Sequence, residues 1–193
     1  MPVQNGNIIE LSVVIDGNLV FKPKSTKTIT YETYTNKYTD IRASKYKSAI
    51  DFVSVRGLMT GITETMFAPN SPVTVNDVAL AVARIRGVPD KDAMLYCKQA
   101  GIFTDEYPNG YILTRNELSS IMTSLVKQIT ENPKLYGSYS MSGFKYTPEY
   151  WTNSRFRELE SHNNHIYNKK ADSTRAEAAY LFASLIETIV AGG

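Results

Sequence analysis

Two arginines in this sequence each follow a threonine at the predicted start of a helix. Arg115 lies in the sequence Thr-Arg-Asn-Glu at residues 114–117, and Arg175 lies in Thr-Arg-Ala-Glu at residues 174–177. The threonine and the acidic residue three positions later form a capping box, which predicts that a helix begins there. A cation in the first helical turn opposes the helix dipole at a cost of about 0.3–1 kcal/mol. We therefore expect compensation by a carboxylate of a neighbouring segment, or by an anionic ligand that the arginine and free helix N–H groups hold together.

Two histidines near the carboxyl end of the chain raise the question of a metal site. His162 and His165 follow Glu158 and Glu160, and such residues bind zinc when they share one helix face. The helix is predicted to stop at Asn163, however, which separates the two histidines. The sequence therefore predicts a solvated helix end and no metal site.

The cysteine and the acidic pairs also favour structural roles over catalysis. Cys97 falls on the apolar side of its predicted helix and has no histidine partner within its own segment, which favours a core thiol. Asp105 and Glu106 lie in a polar loop rather than in the facing positions that glycoside hydrolysis requires. The sequence contains no phosphate-binding glycine loop or nucleotide fingerprint. We expect a protein that is not an enzyme and needs no cofactor.

Composition narrows the classes of partner. The 193 residues carry a net charge of +2 and are 42% hydrophobic, which is typical of one soluble domain or a small array of repeats. No run of lysine and arginine indicates nucleic acid as a partner, and no apolar stretch approaches the roughly 20 residues that cross a membrane. Residues 1–6 lack the basic and apolar regions of a secretory signal, so we expect none in this chain.

The elements that position these residues change in type near residue 38. Before it, Asp16-Gly17 separates two apolar runs and predicts a β-hairpin, and a third strand is predicted over 26–35. After it, apolar residues recur at helical spacing in three successive helix–loop–helix units, whose second helices open at Thr74, Thr114 and Thr174. The sequence thus predicts a β-rich arm followed by three helical repeats.

Several short motifs of the helical part resemble S-layer homology (SLH) repeats. The residues that carry the resemblance are Tyr38-Thr39-Asp40-Ile41, Gly57-Leu58-Met59-Thr60-Gly61, Phe67-Ala68-Pro69-Asn70, Thr74 and the two arginine motifs. The match is fullest in the first unit, the second unit is shorter, and the third is divergent. The resemblance implies a mainly α fold with three repeats in a pseudo-threefold arrangement around a central three-helix bundle. The domain limits are then 1–37 for the β-rich arm and 38–88, 89–132 and 133–193 for the repeats.

The resemblance also implies a function. SLH modules bind the secondary polysaccharide of Gram-positive-type cell walls, often through a pyruvate-ketal carboxylate, so the expected partner is an anionic glycan at the cell surface. Arg115 and Arg175 are the expected anion contacts, and Asn70 belongs to the same expected ligand-binding set. Trp151 and its counterpart Tyr46 either line a groove or anchor the core.

Two departures from the SLH pattern leave a second function open. Val75 stands where the first repeat is expected to have arginine, so at most two intact anion sites are predicted. The expected lack of a signal peptide suggests, as the alternative, a structural protein of a virion or another particle assembled in the cytoplasm. In that case the N-terminal strands pair with a neighbouring subunit, which is either another protein or a second copy of this chain.

Overall fold

The computed structural model describes residues 13–15, 18–21, 37–132, 147–162 and 168–191. The chain divides into two units, Met1–Thr35 and Asn36–Gly193, and each is described by itself. In the first unit, strands β1 (Val13–Ile15) and β2 (Asn18–Phe21) pair antiparallel. The third predicted strand, over 26–35, lies outside the described residues, so the β-rich arm as a whole stays a prediction.

The second unit is mainly helical, as the sequence predicts. Its described residues form six α-helices and a 3-10 turn (Asp90–Asp92) that leads into the third helix. The helices are α1 (Lys47–Val55), α2 (Val75–Arg86), α3 (Ala93–Gln99), α4 (Arg115–Glu131), α5 (Pro148–His162) and α6 (Arg175–Ala191).

The three threonine openings predicted from the sequence mark the observed starts of α2, α4 and α6. The hydroxyl oxygen of Thr74 accepts from the N–H of Asp77 at 3.2 Å, and Thr114 accepts from Glu117 at 3.3 Å. Thr174 makes the same bond at the start of α6, to the N–H of Glu177 at 3.2 Å. Each cap satisfies one N–H group that the first helical turn would otherwise leave without a partner.

The loops before α2, α4 and α6 are joined by a closed ring of backbone hydrogen bonds. Val73 N–H donates to the Ser173 carbonyl at 2.8 Å, Ser173 N–H donates to Leu113 at 2.8 Å, and Leu113 N–H donates to Val73 at 3.1 Å. Each of these residues immediately precedes a capping threonine. The ring therefore brings the three helix starts together, although they are far apart in sequence.

The helices pair mainly across the predicted repeats. α1 packs mainly against α6, α3 against α2, and α5 against α4, while α6 also contacts α4 and α5. The first helix of each predicted unit thus packs on the second helix of another unit. Because helices of different predicted units pack together, clefts form between the units.

One continuous apolar core fills the space between the helices. The largest fully buried side chains are Phe67, Phe182, Ile41, Ile50, Ile102, Leu113, Leu118, Ile121, Met122, Leu125, Ile129 and Leu159. Burying an aliphatic or aromatic side chain of this size contributes about 1.5–3 kcal/mol. The core therefore holds the helix starts and the adjoining loops in place.

The loop after α1 makes an unusually close backbone approach at Gly61. The Gly61 N–H donates to the Tyr38 hydroxyl at 2.5 Å. A Cβ atom at this position would lie 2.5 Å from the carbonyl oxygens of Met66 and Thr63 and from the Tyr38 ring. Only glycine fits there without displacing backbone.

Candidate functional site

Arg175, a predicted anion contact, lies inside the protein. The residue is 4% exposed, and its guanidinium donates to the Phe67 carbonyl at 2.9 Å, to Asp77 at 2.5 Å and to the Thr60 carbonyl at 2.6 Å. The guanidinium carbon also lies 4.9 Å from the centre of the Phe67 ring. The cation at the start of α6 is thus compensated by a carboxylate at the start of α2.

Arg115 pairs in the same way with the next carboxylate. Its Nη2 and Nε donate to Oε1 of Glu177 at 2.8 and 3.1 Å, and Nη1 donates to the Asn168 carbonyl at 3.3 Å. The side chains of Arg115 and Glu177 are 15% and 3% exposed. Glu177 accepts as well from the Thr174 N–H at 3.0 Å. Each of the two arginines is therefore compensated by a carboxylate of a neighbouring segment, which is the first of the two possibilities that the sequence left open.

The third capping carboxylate, Glu117, is arranged differently, because the first predicted repeat has Val75 where the other two have arginine. Val75 is fully buried, and Glu117 accepts from the Tyr111 hydroxyl at 2.9 Å in place of a guanidinium. Glu117 also accepts from the Thr114 hydroxyl at 2.7 Å and N–H at 2.8 Å. Burial by itself raises the pKa of the Glu117 carboxyl, but these hydrogen bonds outweigh it and hold the pKa below the usual value.

The helix N–H groups that were expected to help bind an anion are already used within the chain. The first N–H of each of α2, α4 and α6 donates to a carbonyl of another predicted unit. These bonds run from Val75 to Tyr111 at 2.8 Å, from Arg115 to Ala171 at 3.0 Å and from Arg175 to Ser71 at 2.9 Å. The second N–H does the same in α4 and α6, from Asn116 to Lys169 and from Ala176 to Pro69, each at 3.0 Å. These five helix N–H groups therefore already donate to carbonyls within the chain.

A basic cleft of about 340 Å³ lies between α4 and α5. Arg115, Arg157 and Lys169 line it, together with one acidic residue, Glu160, and the half-buried ring of Phe156. Among the described residues, the side chains of Arg157 and Lys169 form no ion pair or hydrogen bond. This cleft therefore presents two exposed cations beside an aromatic ring.

A second cleft, of about 360 Å³, lies on the other side of Arg115. The turn that contains Asn70, the residues Lys45 and Tyr46 before α1, and Glu177 on α6 contribute to its walls. Arg115 lines both clefts, so the predicted ligand residues Arg115, Tyr46 and Asn70 do converge. Arg175 lines neither.

The two predicted aromatic residues are both buried. Trp151 is 5% exposed, and its indole N–H donates to the Thr188 hydroxyl of α6 at 3.0 Å. Tyr46 is 6% exposed, and its ring centre lies 5.8 Å from those of His162 and Tyr180. Trp151 anchors α5 on α6, whereas Tyr46 stands at the edge of the second cleft.

The candidate catalytic and metal residues are dispersed or engaged. Glu158 accepts from Arg155 at 2.8 Å and from the Tyr180 hydroxyl, and Glu106 pairs with Lys98 at the surface. His165 lies outside the described residues. Within the described ranges, histidine, cysteine and acidic side chains form no group of three or more that could hold a metal ion.

No helix in the described part of the chain combines the length and apolar character needed to cross a membrane.

Sequence reasoning missed Phe156 as a cleft residue and missed three cations, Lys45, Arg157 and Lys169. Phe156 stands between Trp151 and Leu159 at helical spacing, and this periodicity places it in the core. The cations come from three separate segments and belong to no motif. A packing model of α5 against α4 is the signal that would have revealed Phe156 and Arg157.

Comparisons with known proteins agree with the motifs of the first unit. Residues 37–74 match the family model of the S-layer homology domain. An amylopullulanase from Thermoanaerobacterium thermosulfurigenes is 22% identical over 179 residues, covering 80% of this chain and 10% of the relative. This chain thus spans about a tenth of the length of the curated relative that it matches. The matched residues end at the capping threonine of α2, so the second and third repeats stay predictions. The resemblance predicted from the motifs is thus confirmed for residues 37–74, which are similar to the S-layer homology domain.

Proposed function

We propose that this chain is a non-catalytic module that binds cell-wall polysaccharide and recognises negatively charged sugars, such as those with a pyruvate ketal. The S-layer homology match supports the class of ligand. We also propose that the protein acts at the cell surface. Neither the described residues nor the comparisons add an observation that favours the alternative of particle assembly.

The observation that carries the proposal is the pair of unengaged cations in the cleft between α4 and α5. Arg157 and Lys169 flank this cleft, and Arg115 forms part of its wall. A guanidinium can bind a carboxylate through two parallel hydrogen bonds, while a lysine adds a point charge. A sugar that carries a carboxylate fits this arrangement better than a neutral one.

The neutral residues of the same cleft suit the rest of a sugar. Asn116, Ser119 and Asn153 line it beside Phe156. Amide and hydroxyl groups can donate to and accept from sugar hydroxyls, and an aromatic ring offers an apolar surface to the sugar's C–H groups. Arg115 belongs to this site through its position in the wall, with its guanidinium held by Glu177.

The proposed architecture is three copies of one repeat around a pseudo-threefold axis, with α2, α4 and α6 at the centre and limits at 38–88, 89–132 and 133–193. The closed ring formed by Val73, Leu113 and Ser173 supports it, because the same loop position donates and accepts in each copy. The capping threonines at the three helix starts support it further.

The proposal is tested by co-sedimentation of the purified chain with a panel of Gram-positive cell walls, before and after extraction of the secondary polysaccharide. The panel includes walls of Thermoanaerobacterium thermosulfurigenes. We expect binding that is lost on extraction and that weakens as salt is raised. Sedimentation with none of the untreated walls would overturn the proposed function.

A pair of double variants tests the cleft itself. Arg157→Gln with Lys169→Gln is expected to weaken wall binding at least about tenfold, because charged hydrogen bonds each contribute roughly 1.5–3 kcal/mol. Arg56→Gln with Lys91→Gln changes the net charge equally but lines neither cleft, and should bind like the unaltered chain. Equal loss in the two double variants would mean that only net charge matters, and the cleft would be the wrong site.

A further inference from the structure

The turn that carries Asn70 contains a strained residue. Ala68 has a φ of +58°, and among the described residues it is the one non-glycine with positive φ. Alanine rarely occupies this left-handed region, because its Cβ crowds the following carbonyl. Such strain persists only where surrounding contacts hold it, and it is often found at functional sites.

Asp40 holds the turn from its N–H side. One oxygen of its carboxylate accepts from the Phe67 N–H at 3.0 Å, and the other accepts from the Ala68 N–H at 2.7 Å. Successive N–H groups of an extended segment point to opposite sides, so the convergence of these two on one carboxylate reflects the turn at residues 67–68. An ionised carboxylate binds such a pair of donors well.

Arg175 holds the same turn from its carbonyl side. Its Nε donates to the Phe67 carbonyl at 2.9 Å, and its backbone N–H donates to the Ser71 carbonyl at 2.9 Å. The neighbouring Ala176 N–H donates to the Pro69 carbonyl at 3.0 Å. Residues 67–71 are thus fixed by the start of α6 as well as by Asp40.

The turn presents Asn70 to the second cleft. Asn70 is exposed and lines the cleft beside Lys45 and Tyr46. Its side chain makes no hydrogen bond to another described residue, so its amide can bond to a sugar hydroxyl. The direction of that amide depends on the backbone conformation two residues earlier, at Ala68.

We propose that Asp40 and Arg175 are positioning residues: together they hold Ala68 in its left-handed conformation and thereby direct Asn70 towards the part of the glycan that passes Arg115 and enters the second cleft. The inference rests on the proposed function and deepens it. It makes Arg175 act on binding through the turn rather than through contact with the anion.

The test is a rescue experiment, measured as affinity for the same purified cell walls. Asp40→Asn keeps the shape but offers one acceptor for two N–H donors, and we expect a loss of affinity of about tenfold. Adding Ala68→Gly should restore most of it, because glycine adopts positive φ without strain. The control Asp92→Asn, outside both clefts, should change nothing. A loss that Ala68→Gly does not restore would mean that Asp40 touches the ligand itself, which overturns the inference.

Arg175→Lys separates positioning from charge recognition. Lysine keeps the positive charge near Asp77 but cannot reach the carbonyls of Phe67 and Thr60 together, as the guanidinium does. We expect weaker binding that Ala68→Gly again improves. Full wall binding by Arg175→Lys would remove Arg175 from the proposal.

Asn70→Ala keeps the test decisive if the Asp40 variant fails to fold. Asn70 is exposed, so this change should leave the thermal melt unaltered and weaken wall binding by about the same factor as Asp40→Asn. In the Asn70→Ala background, Asp40→Asn should cause no further loss of affinity. Full binding by Asn70→Ala would overturn the inference while leaving the proposed function standing. A failure of the unaltered chain to bind any wall would overturn both.

Discussion

The buried pair of Arg115 and Glu177 allows a quantitative prediction. Arg115→Met removes the guanidinium but keeps a long apolar side chain, so the main change is the loss of the ion pair to a carboxylate that is 3% exposed. Removing one partner of a buried ion pair costs about 3–5 kcal/mol. Glu177 keeps the Thr174 N–H as a donor at 3.0 Å, so we expect a loss near the lower end, about 3 kcal/mol. Such a loss is a large part of the roughly 5–15 kcal/mol that stabilises a typical domain.

The assay is urea unfolding followed by far-UV circular dichroism and by fluorescence of Trp151, the single tryptophan. Glu177→Gln and the double variant complete a thermodynamic cycle, since glutamine still accepts from the helix cap. The double variant should be more stable than the sum of the single losses predicts, by about 2 kcal/mol. The control is Asp51→Asn, which breaks a surface ion pair between Lys47 and Asp51, whose side chains are 50% and 30% exposed respectively. It should lower the free energy of unfolding by less than about 0.5 kcal/mol.

Two results would refute this reasoning. One is a loss below about 1 kcal/mol for Arg115→Met, the size expected of a surface pair. The other is strict additivity in the cycle, because independent residues show no coupling. Either result would mean that Glu177 does not hold Arg115 in solution.

Three further predictions concern other parts of the helical unit. Burial raises the pKa of the Cys97 thiol to about 12, so a thiol reagent at pH 8 should modify it only after unfolding; rapid labelling of the folded chain would contradict this. Gly61→Ala should lower the free energy of unfolding by about 1–3 kcal/mol, because its Cβ overlaps neighbouring atoms. Gly57→Ala has open space but a φ of +64°, and should lower it by about 1 kcal/mol. Calorimetry of the two variants compares these losses. Burial and the negative charge of Asp105 raise the pKa of Tyr107 to about 12, so Asp105→Asn should lower it in an NMR titration. In the unaltered chain, the raised pKa of Tyr107 contributes stability that is fully present below about pH 10 and is lost as the pH rises towards 12.

Local signals in the sequence predicted the helices well. Capping threonines predicted the starts of α2, α4 and α6 at the residues observed, because a cap and its acidic partner lie within one turn. Gly87 ends α2 at a φ of +68°, the left-handed conformation that is typical of a glycine after a helix. The similarity of residues 37–74 to the S-layer homology domain also followed from local motifs, since this segment contains most of the motifs quoted.

The sequence could not predict the composition of the clefts. Periodicity assigned Phe156 to the core, but the packing of α5 on α4 leaves its ring at the edge of a cleft. No sequence pattern identifies Lys45, Arg157 and Lys169 as cleft residues, because the residues next to an exposed cation do not indicate which surface it faces. The predicted roles of Asn70 and Arg115 as ligand residues stay predictions.

The sequence by itself determined where each second helix begins and that an arginine there needs a negative partner, because both depend on atoms a few residues apart. Only the tertiary structure decided which partner compensates. Arg115 and Glu177 are 62 residues apart, and Arg175 and Asp77 are 98 apart. Their pairing follows from the closed ring of loops, which sets distances in space that no local pattern records. Glu117 accepts from the Tyr111 hydroxyl instead, and the first predicted repeat has the buried Val75 where the other two have arginine.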